Sequence, residues 1–275
     1  MKKKISIFAG TRPEIIKVST LSKELSHYFE IDLIFTGQHK ETAEVLFDFL
    51  ELKPTHTLNV LKKNQSLSEL SARATIQIEE YLKSSKTNMV LVQGDTTTAF
   101  ISSLVSFYNK IPVAHIEAGL RTHDMYSPFP EEINRKLISR IASLNFCPTQ
   151  KSQSNLKKEG IDVNSCFVTG NTVIDTLLES KKKIETLPDD YFSITKSFSK
   201  FKKIVLVTCH RRENFGKPLL NIVTALKNLS ETNEDTLFVL PVHPNPNVKK
   251  IFEHNLGNIA NLQLTDPLSY QELLY

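Results

Sequence analysis

The sequence predicts an α/β fold built on parallel β-sheets, and two observations indicate it. Short apolar runs of strand length alternate with helical patterns along the 275 residues, as repeated βαβ units require. Two of these runs, 89–93 and 111–116, end close to a carboxylate, Asp95 in the first case and Glu117 in the second. Ligands of open α/β sheets bind outside the carboxyl ends of the strands, so both acids are predicted to face a ligand.

The first predicted domain covers residues 1–170 and contains six strands and six helices. Its strands are short apolar runs, as expected for strands that are buried on both faces of a parallel sheet, and we predict them at 5–9, 31–36, 89–93, 112–116, 144–147 and 165–169. Its helices follow helical apolar spacing and capping signals, and we predict them at 14–28, 42–49, 66–83, 98–108, 131–142 and 152–159.

The second predicted domain covers residues 171–275 and shows half of a doubly wound sheet. We predict strands at 204–208, 237–242 and 261–264, helices at 173–183, 218–229 and 247–254, and an irregular exposed connection at 185–202. Ser269 and Glu272 have the spacing of a helix-opening capping box only a few residues before Tyr275. We therefore expect this domain to be incomplete, and the chain to be shorter than its fold requires.

Composition excludes several classes of protein. The chain has 34 basic and 30 acidic residues, a formal charge of +4, which is far from the signature of a nucleic-acid binder. Cys147, Cys166 and Cys209 are widely spaced, so neither a metal site nor a disulfide framework is predicted. No apolar stretch reaches the roughly 18 residues of a membrane span, and the N-terminus lacks a signal-peptide core, which together predict a cytoplasmic protein.

The loop after the first strand, 10–14, combines a glycine turn with a helix start. Thr11 and Glu14 fit a capping box, and Pro13 suits the first helical turn. That reading does not explain Arg12 or Lys17, because the helix dipole disfavours cations in the first turns. An anion at the helix N-terminus would explain both, so we predict that Arg12 and Lys17 bind phosphate.

Asp95 and Glu117 each allow a structural alternative. Asp95 precedes a helix and could serve as its N-cap, or it could act on a substrate hydroxyl or as a catalytic acid. Glu117 could act on substrate or pair with the nearby Arg121. His115 alternates with Ile116 along its strand and is interpreted as a buried core histidine.

Two further segments contain candidate site residues. Glu131 opens a helix, where the dipole favours acids and where an i,i+4 pair with Arg135 is possible. His210 follows the first strand of the second domain, the position that 10–14 occupies in the first, and is a candidate acid or pyrophosphate ligand. His243 also follows a strand, and the pattern does not decide between a turn and a site.

Six segments together resemble one protein family, the bacterial non-hydrolysing UDP-N-acetylglucosamine 2-epimerases. The segments are 10–14, 93–98, 117–122, 130–135, 170–175 and 210–214. The resemblance implies two Rossmann-like domains in a glycosyltransferase-B-like arrangement that close on UDP-GlcNAc. It also implies a homodimer that works without NAD or a metal and supplies UDP-N-acetylmannosamine (UDP-ManNAc) for surface polysaccharide synthesis.

The same resemblance implies roles for individual residues. Arg12, Lys17 and His210 match nucleotide-phosphate contacts of the family, and His210 is also a catalytic candidate. The implied catalytic carboxylates are Asp95, Glu117 and Glu131. Gln38 and His39 match part of a second, regulatory UDP-GlcNAc site. The implied reaction eliminates UDP to give 2-acetamidoglucal and then re-adds it, with the C2 proton returned to the other face.

Two alternatives stay open at the level of sequence. A hydrolysing relative would release free ManNAc and UDP, although Pro13 and Glu14 in the first helical turn favour the non-hydrolysing branch. The chain could instead be an inactive nucleotide-sugar-binding fragment, because it lacks the family's Ser-Gly-Gly-x-Gln-Glu-Glu type of segment.

Overall fold

The computed structural model describes residues 2–37, 40–62, 64–188, 191–209, 217–243 and 245–275. The chain divides into two compact units, Met1–Glu179 and Ser180–Tyr275. Each unit contains a parallel β-sheet with helices between its strands, which confirms the predicted α/β class.

The first unit contains seven strands and the helices that connect them. The strands are β1 (Lys4–Ala9), β2 (Glu30–Phe35), β3 (His56–Thr57), β4 (Met89–Gln93), β5 (Val113–Ile116), β6 (Leu144–Cys147) and β7 (Cys166–Val168). The helices are α1 (Arg12–Ser26), α2 (Lys40–Phe49), α3 (Leu67–Ser85), α4 (Thr97–Tyr108), α5 (Glu131–Ile141), α6 (Gln150–Lys158) and α7 (Thr172–Ile184), which ends in the second unit. A short 3₁₀ helix, Val163–Ser165, precedes β7.

The strand order of this sheet, β3-β2-β1-β4-β5-β6-β7, places a topological switch between β1 and β4. The chain builds the sheet outward from β1 in one direction through β2 and β3, and then returns to build it in the other direction from β4. A crevice opens at such a switch, outside the carboxyl ends of the strands. Arg12 opens α1 directly after the loop that follows β1, and Asp95 lies in the loop that follows β4, so both residues are positioned at this edge.

The core of the first unit lies between the sheet and helices α3 and α4. Its central strands are apolar and buried, as a parallel sheet covered by helices requires. The helices contribute residues at helical spacing, and the buried cluster includes Phe8, Val90, Val92, Leu70, Ala74, Ile78, Ala99 and Val105. This packing supports the strand ends that carry the candidate site.

The second unit contains a smaller parallel sheet of order β10-β9-β8. Its elements are a 3₁₀ helix (Ser193–Lys200), β8 (Lys203–Leu206), α8 (Lys217–Thr232), β9 (Thr236–Pro241), α9 (Pro246–Leu256), β10 (Leu262–Thr265) and α10 (Tyr270–Leu274). The predicted capping box is present, since Ser269 accepts from the amide of Glu272 while the Glu272 carboxylate accepts from the amide of Ser269.

The predicted elements are found with their ends displaced by at most three residues, and three short features of the described residues were missed, one of them the 3₁₀ helix Val163–Ser165. The two-residue strand β3 has too few residues to show a pattern, and the predicted irregular connection contains the 3₁₀ helix Ser193–Lys200. Among the described residues, no helix has the length and apolar character needed to cross a membrane.

Candidate active site

The loop between β1 and α1 is fixed by a buried carboxylate, that of Glu14. Its Oε2 accepts the backbone N–H groups of Gly10 at 3.0 Å and Thr11 at 2.7 Å, which closes the predicted capping box. Its Oε1 accepts the hydroxyl of Thr96 at 2.7 Å. Glu14 therefore joins the loop after β1 to the loop after β4, and its burial raises the pKa of its carboxyl group. Arg12 is exposed at the first position of α1.

Glu117 accepts hydrogen bonds from three separate parts of the first unit. Its Oε2 accepts from the ammonium of Lys17 at 2.6 Å and from the amide of Gln93, and its Oε1 accepts from the amide of Asn171 at 3.1 Å. The backbone of Glu117 is in the left-handed region, with φ of 67°. A residue other than glycine in this conformation is uncommon and concentrates at functional sites.

The alternative pairing of Glu117 with Arg121 is wrong. Arg121 instead donates from Nε and Nη2 to the two carboxylate oxygens of Glu159, each at 2.8 Å. This bidentate pair lies within the first unit and lowers the pKa of the Glu159 carboxyl group. The partner of Glu117 is Lys17, 100 positions earlier in the chain, which local spacing could not show.

Asp95 is held from α5 by two side chains. Its Oδ2 forms an ion pair with the guanidinium of Arg135, and its backbone carbonyl accepts from the amide of Asn134 at 2.9 Å. The N-cap of α4 is Thr96, whose hydroxyl accepts from the amide of Ala99 at 3.1 Å, so the capping alternative for Asp95 is wrong. Burial raises the pKa of the Asp95 carboxyl group against the lowering effect of Arg135.

Glu131 is the first residue of α5 and is half-buried. Its charge and that of Glu117 both contribute to the raised pKa of Asp95, which means that both acids lie within electrostatic reach of Asp95. The predicted pair of Glu131 with Arg135 is replaced, since the guanidinium of Arg135 contacts Asp95 and Glu132 instead, the latter at 3.4 Å. Glu131 is thereby left available at the same edge of the sheet.

His115 is a buried histidine, as its strand position predicted. Its Nε2 lies 2.7 Å from the carbonyl oxygen of Gly94, which identifies Nε2 as the protonated nitrogen. Complete burial lowers the pKa of His115 to about 4, so the ring is neutral near pH 7. Gly94 has φ of 72°, and His115 supports the turn that leads into Asp95.

The described structure brings Lys17, Asp95, Glu117 and Glu131 to one edge of the first sheet, with Arg12 at the start of α1. His210, Gln38 and His39 lie outside the described residues. In the second unit, His243 accepts the backbone N–H of Asn245 through Nδ1 at 3.1 Å, a contact typical of a turn. Within the described ranges, no group of three or more His, Cys, Asp or Glu side chains is arranged to hold a metal ion.

Sequence reasoning did not name as site residues four polar residues that complete this edge: Gln93, Asn134, Arg135 and Asn171. Gln93 and Asn171 each stand next to a glycine at the carboxyl end of a strand or in the loop after it. A polar side chain at that position is the signal that could have indicated them. Asn134 and Arg135 lie three and four residues after Glu131, on the same side of α5.

Comparison with known proteins identifies the family of this chain. The family model of UDP-N-acetylglucosamine 2-epimerase matches residues 23–275. The chain belongs to the UDP-N-acetylglucosamine 2-epimerase family. The epimerase of Campylobacter jejuni is 42% identical over 283 residues, covering 100% of this chain and 74% of the relative. The epimerase of Bacillus subtilis is 42% identical over 271 residues, covering 98% of this chain and 70% of the relative.

Solved structures of the same family share the fold of this epimerase-family chain. The crystal structure of UDP-GlcNAc 2-epimerase from Neisseria meningitidis, bound to UDP-GlcNAc, superposes with a TM-score of 0.90 at 39% identity. The superposition covers 99% of this chain and 74% of the Neisseria chain.

Proposed function

We propose that this protein is a non-hydrolysing UDP-GlcNAc 2-epimerase, which interconverts UDP-GlcNAc and UDP-ManNAc. The observation that carries the proposal is that Glu117 and Glu131 both lie within electrostatic reach of Asp95 at the carboxyl edge of the first sheet. Membership of the family supports the substrate, and the related Neisseria structure holds UDP-GlcNAc.

The chemistry requires both charge stabilisation and proton transfer. The C2 proton of the sugar is not acidic, because no carbonyl lies next to it in the ring. Departure of UDP from C1 gives the ring oxocarbenium character, and the C2 proton then becomes removable. The C1–O bond breaks with its electron pair going to the diphosphate, and loss of the C2 proton leaves 2-acetamidoglucal. Re-addition of UDP with protonation of C2 on the opposite face completes the epimerisation.

The residues of the first unit supply groups for these steps. Arg12, Lys17 and His210 are proposed to bind the departing diphosphate. Lys17 contacts Glu117, so it would be shared between that carboxylate and the phosphate. Asp95, Glu117 and Glu131 are the proposed acid and base groups. The pKa of Asp95 is raised from its ordinary value towards neutral pH, which suits a group that takes up and releases a proton.

Three features implied by the resemblance stay predictions for this chain. They are a homodimer, a cytoplasmic location with a role in surface polysaccharide synthesis, and a second, regulatory UDP-GlcNAc site that includes Gln38 and His39. None of them is needed for the chemistry of the epimerisation.

Positional isotope exchange tests the proposed cleavage of the C1–O bond. UDP-GlcNAc is labelled with ¹⁸O at the oxygen that joins C1 to the β-phosphate, and the recovered nucleotide sugar is analysed by ³¹P NMR. Transient UDP lets the label rotate into the non-bridging positions, so scrambling in both epimers is expected. Free ManNAc as the main product would assign the chain to the hydrolysing reaction, and an absence of both scrambling and turnover would contradict enzymatic activity.

A further inference from the structure

Glu132 is a completely buried carboxylate that the proposed chemistry does not use. Its two oxygens accept the backbone N–H groups of Thr122 at 3.1 Å and His123 at 3.2 Å. It also lies 3.4 Å from Nη1 of Arg135, while Nη2 of the same guanidinium pairs with Asp95. Burying an acid is costly unless it is paired and hydrogen-bonded, and Glu132 meets both conditions here.

The contacts of Glu132 form a continuous path from a loop to a reacting group. The loop that follows β5 is joined to Glu132, Glu132 to Arg135, and Arg135 to Asp95. His123, in this loop, has φ of 67°, a conformation that its hydrogen bond to Glu132 helps to hold. The neighbouring Asn134 fixes the carbonyl of Asp95 from the same helix.

We propose that Glu132 is a positioning residue that orients Asp95 by dividing the guanidinium of Arg135 between two carboxylates. Without Glu132, Nη1 of Arg135 would lose its carboxylate partner, and Asp95 would be the one carboxylate left to pair with the guanidinium. The loop at Thr122 and His123 would also lose its anchor on α5. Asp95 would therefore be more strongly ionised and less well oriented for proton transfer.

Other charged groups act on Asp95 from the elements around it, and the test must leave them unchanged. Glu117 and Glu131 raise its pKa, and Arg135 lowers it. Indirect neighbours are Lys17 on α1, His115 beneath Gly94, and Glu14 through Thr96. Replacing Glu132 by Gln changes none of these side chains and keeps the size of the residue.

The test is a carboxyl NMR titration of protein labelled with ¹³C-aspartate, with the Asp95 signal assigned by its loss in Asp95→Asn. In Glu132→Gln, the pKa of Asp95 is expected to fall by about one unit, because a negative charge is removed and Arg135 turns fully to Asp95. Glu159→Gln is the matched control, since it makes the same change in the Arg121 pair without touching Arg135. In that control, Asp95 is expected to titrate as in wild type.

The kinetic part of the inference rests on the proposed function, whereas the titration does not. In Glu132→Gln, kcat for epimerisation is expected to fall by about ten-fold or more, with KM changed by less than about three-fold. If wild type shows no epimerisation, the proposed function fails, and the titration still decides the inference.

An unchanged Asp95 titration in a folded Glu132→Gln protein would overturn the proposal. Should that variant not fold, Glu132→Asp is measured instead, because it keeps the charge and withdraws it by one methylene group. A shifted Asp95 titration together with reduced kcat in Glu132→Asp supports the proposal. Wild-type behaviour of Asp95 in that folded variant overturns it.

Discussion

Glu117 combines a left-handed backbone, with φ of 67°, and three hydrogen-bond donors on one carboxylate. A non-glycine residue in this region costs roughly 1–3 kcal/mol, and the surrounding contacts must impose it. Lys17, Gln93 and Asn171 come from three different elements, so the carboxylate is fixed in position from several directions. Such fixing suits a group that acts on a bound molecule.

The charge of Glu117 is therefore predicted to be needed for turnover. Glu117→Gln keeps the shape of the side chain but removes the base, and kcat is expected to fall by about 10²- to 10⁴-fold. Glu30→Gln is a suitable control, because Glu30 pairs with Lys4 at the opposite, amino-terminal edge of the sheet. The measurement is the rate of UDP-ManNAc formation, and wild-type turnover in Glu117→Gln would remove Glu117 from the mechanism.

The burial of His115 predicts that the free energy of unfolding depends on pH. Its pKa is lowered by burial to about 4 in the folded protein, from an ordinary value of 6.5. Between these values the unfolded chain binds more protons, so stability rises with pH through this window and is lost on acidification. The full effect is about 3 kcal/mol between pH 7 and pH 4.

The variant His115→Gln isolates this contribution, because its amide can still donate to the carbonyl of Gly94 but does not titrate. Urea unfolding of wild type and variant at pH 7, 5.5 and 4 measures the difference. As the pH falls from 7 to 4, the free energy of unfolding of wild type should decrease by about 3 kcal/mol more than that of the variant. Parallel pH profiles would show that His115 is not a neutral buried group.

At the scale of elements, the loops after β1 and β4 are joined by Glu14 and Thr96. The hydroxyl of Thr96 donates to Glu14 and also caps α4 by accepting from Ala99. A single hydroxyl thus connects the segment that carries Arg12 to the segment that carries Asp95. We therefore expect the relative placement of the proposed phosphate-binding and acid–base groups to depend on this contact.

Thr96→Val tests the connection, since valine has nearly the same shape without the hydroxyl. Loss of an N-cap costs about 1–2 kcal/mol, and the buried Glu14 loses a donor in addition. The matched control is Thr149→Val, which removes the N-cap of α6 but has no contact with Glu14. Urea unfolding should show a larger loss for Thr96→Val, and kcat should fall in that variant alone. Equal effects of the two substitutions on stability and kcat would contradict the coupling.

At the scale of the whole molecule, sequence patterns predicted the fold class and most elements because the strands are apolar runs and the helices carry capping signals. Asp95 and Glu117 were predicted as site residues because ligands of open α/β sheets bind outside the carboxyl ends of the strands. Arg135 was considered only as a local partner of Glu131, and Asn171 received no role, because their actual partners lie 40 and 54 positions away. Side-chain pairing across such distances is set by tertiary packing, which local spacing does not contain.

The central claim is that carboxylates at the carboxyl edge of the first sheet remove and return the C2 proton of UDP-GlcNAc. The most direct measurement is proton NMR of the protein with UDP-GlcNAc in D₂O. Deuterium is expected to replace the C2 proton in both epimers, with UDP still attached, and Glu117→Gln is expected to slow this exchange. Retention of hydrogen at C2 in an active protein would contradict it.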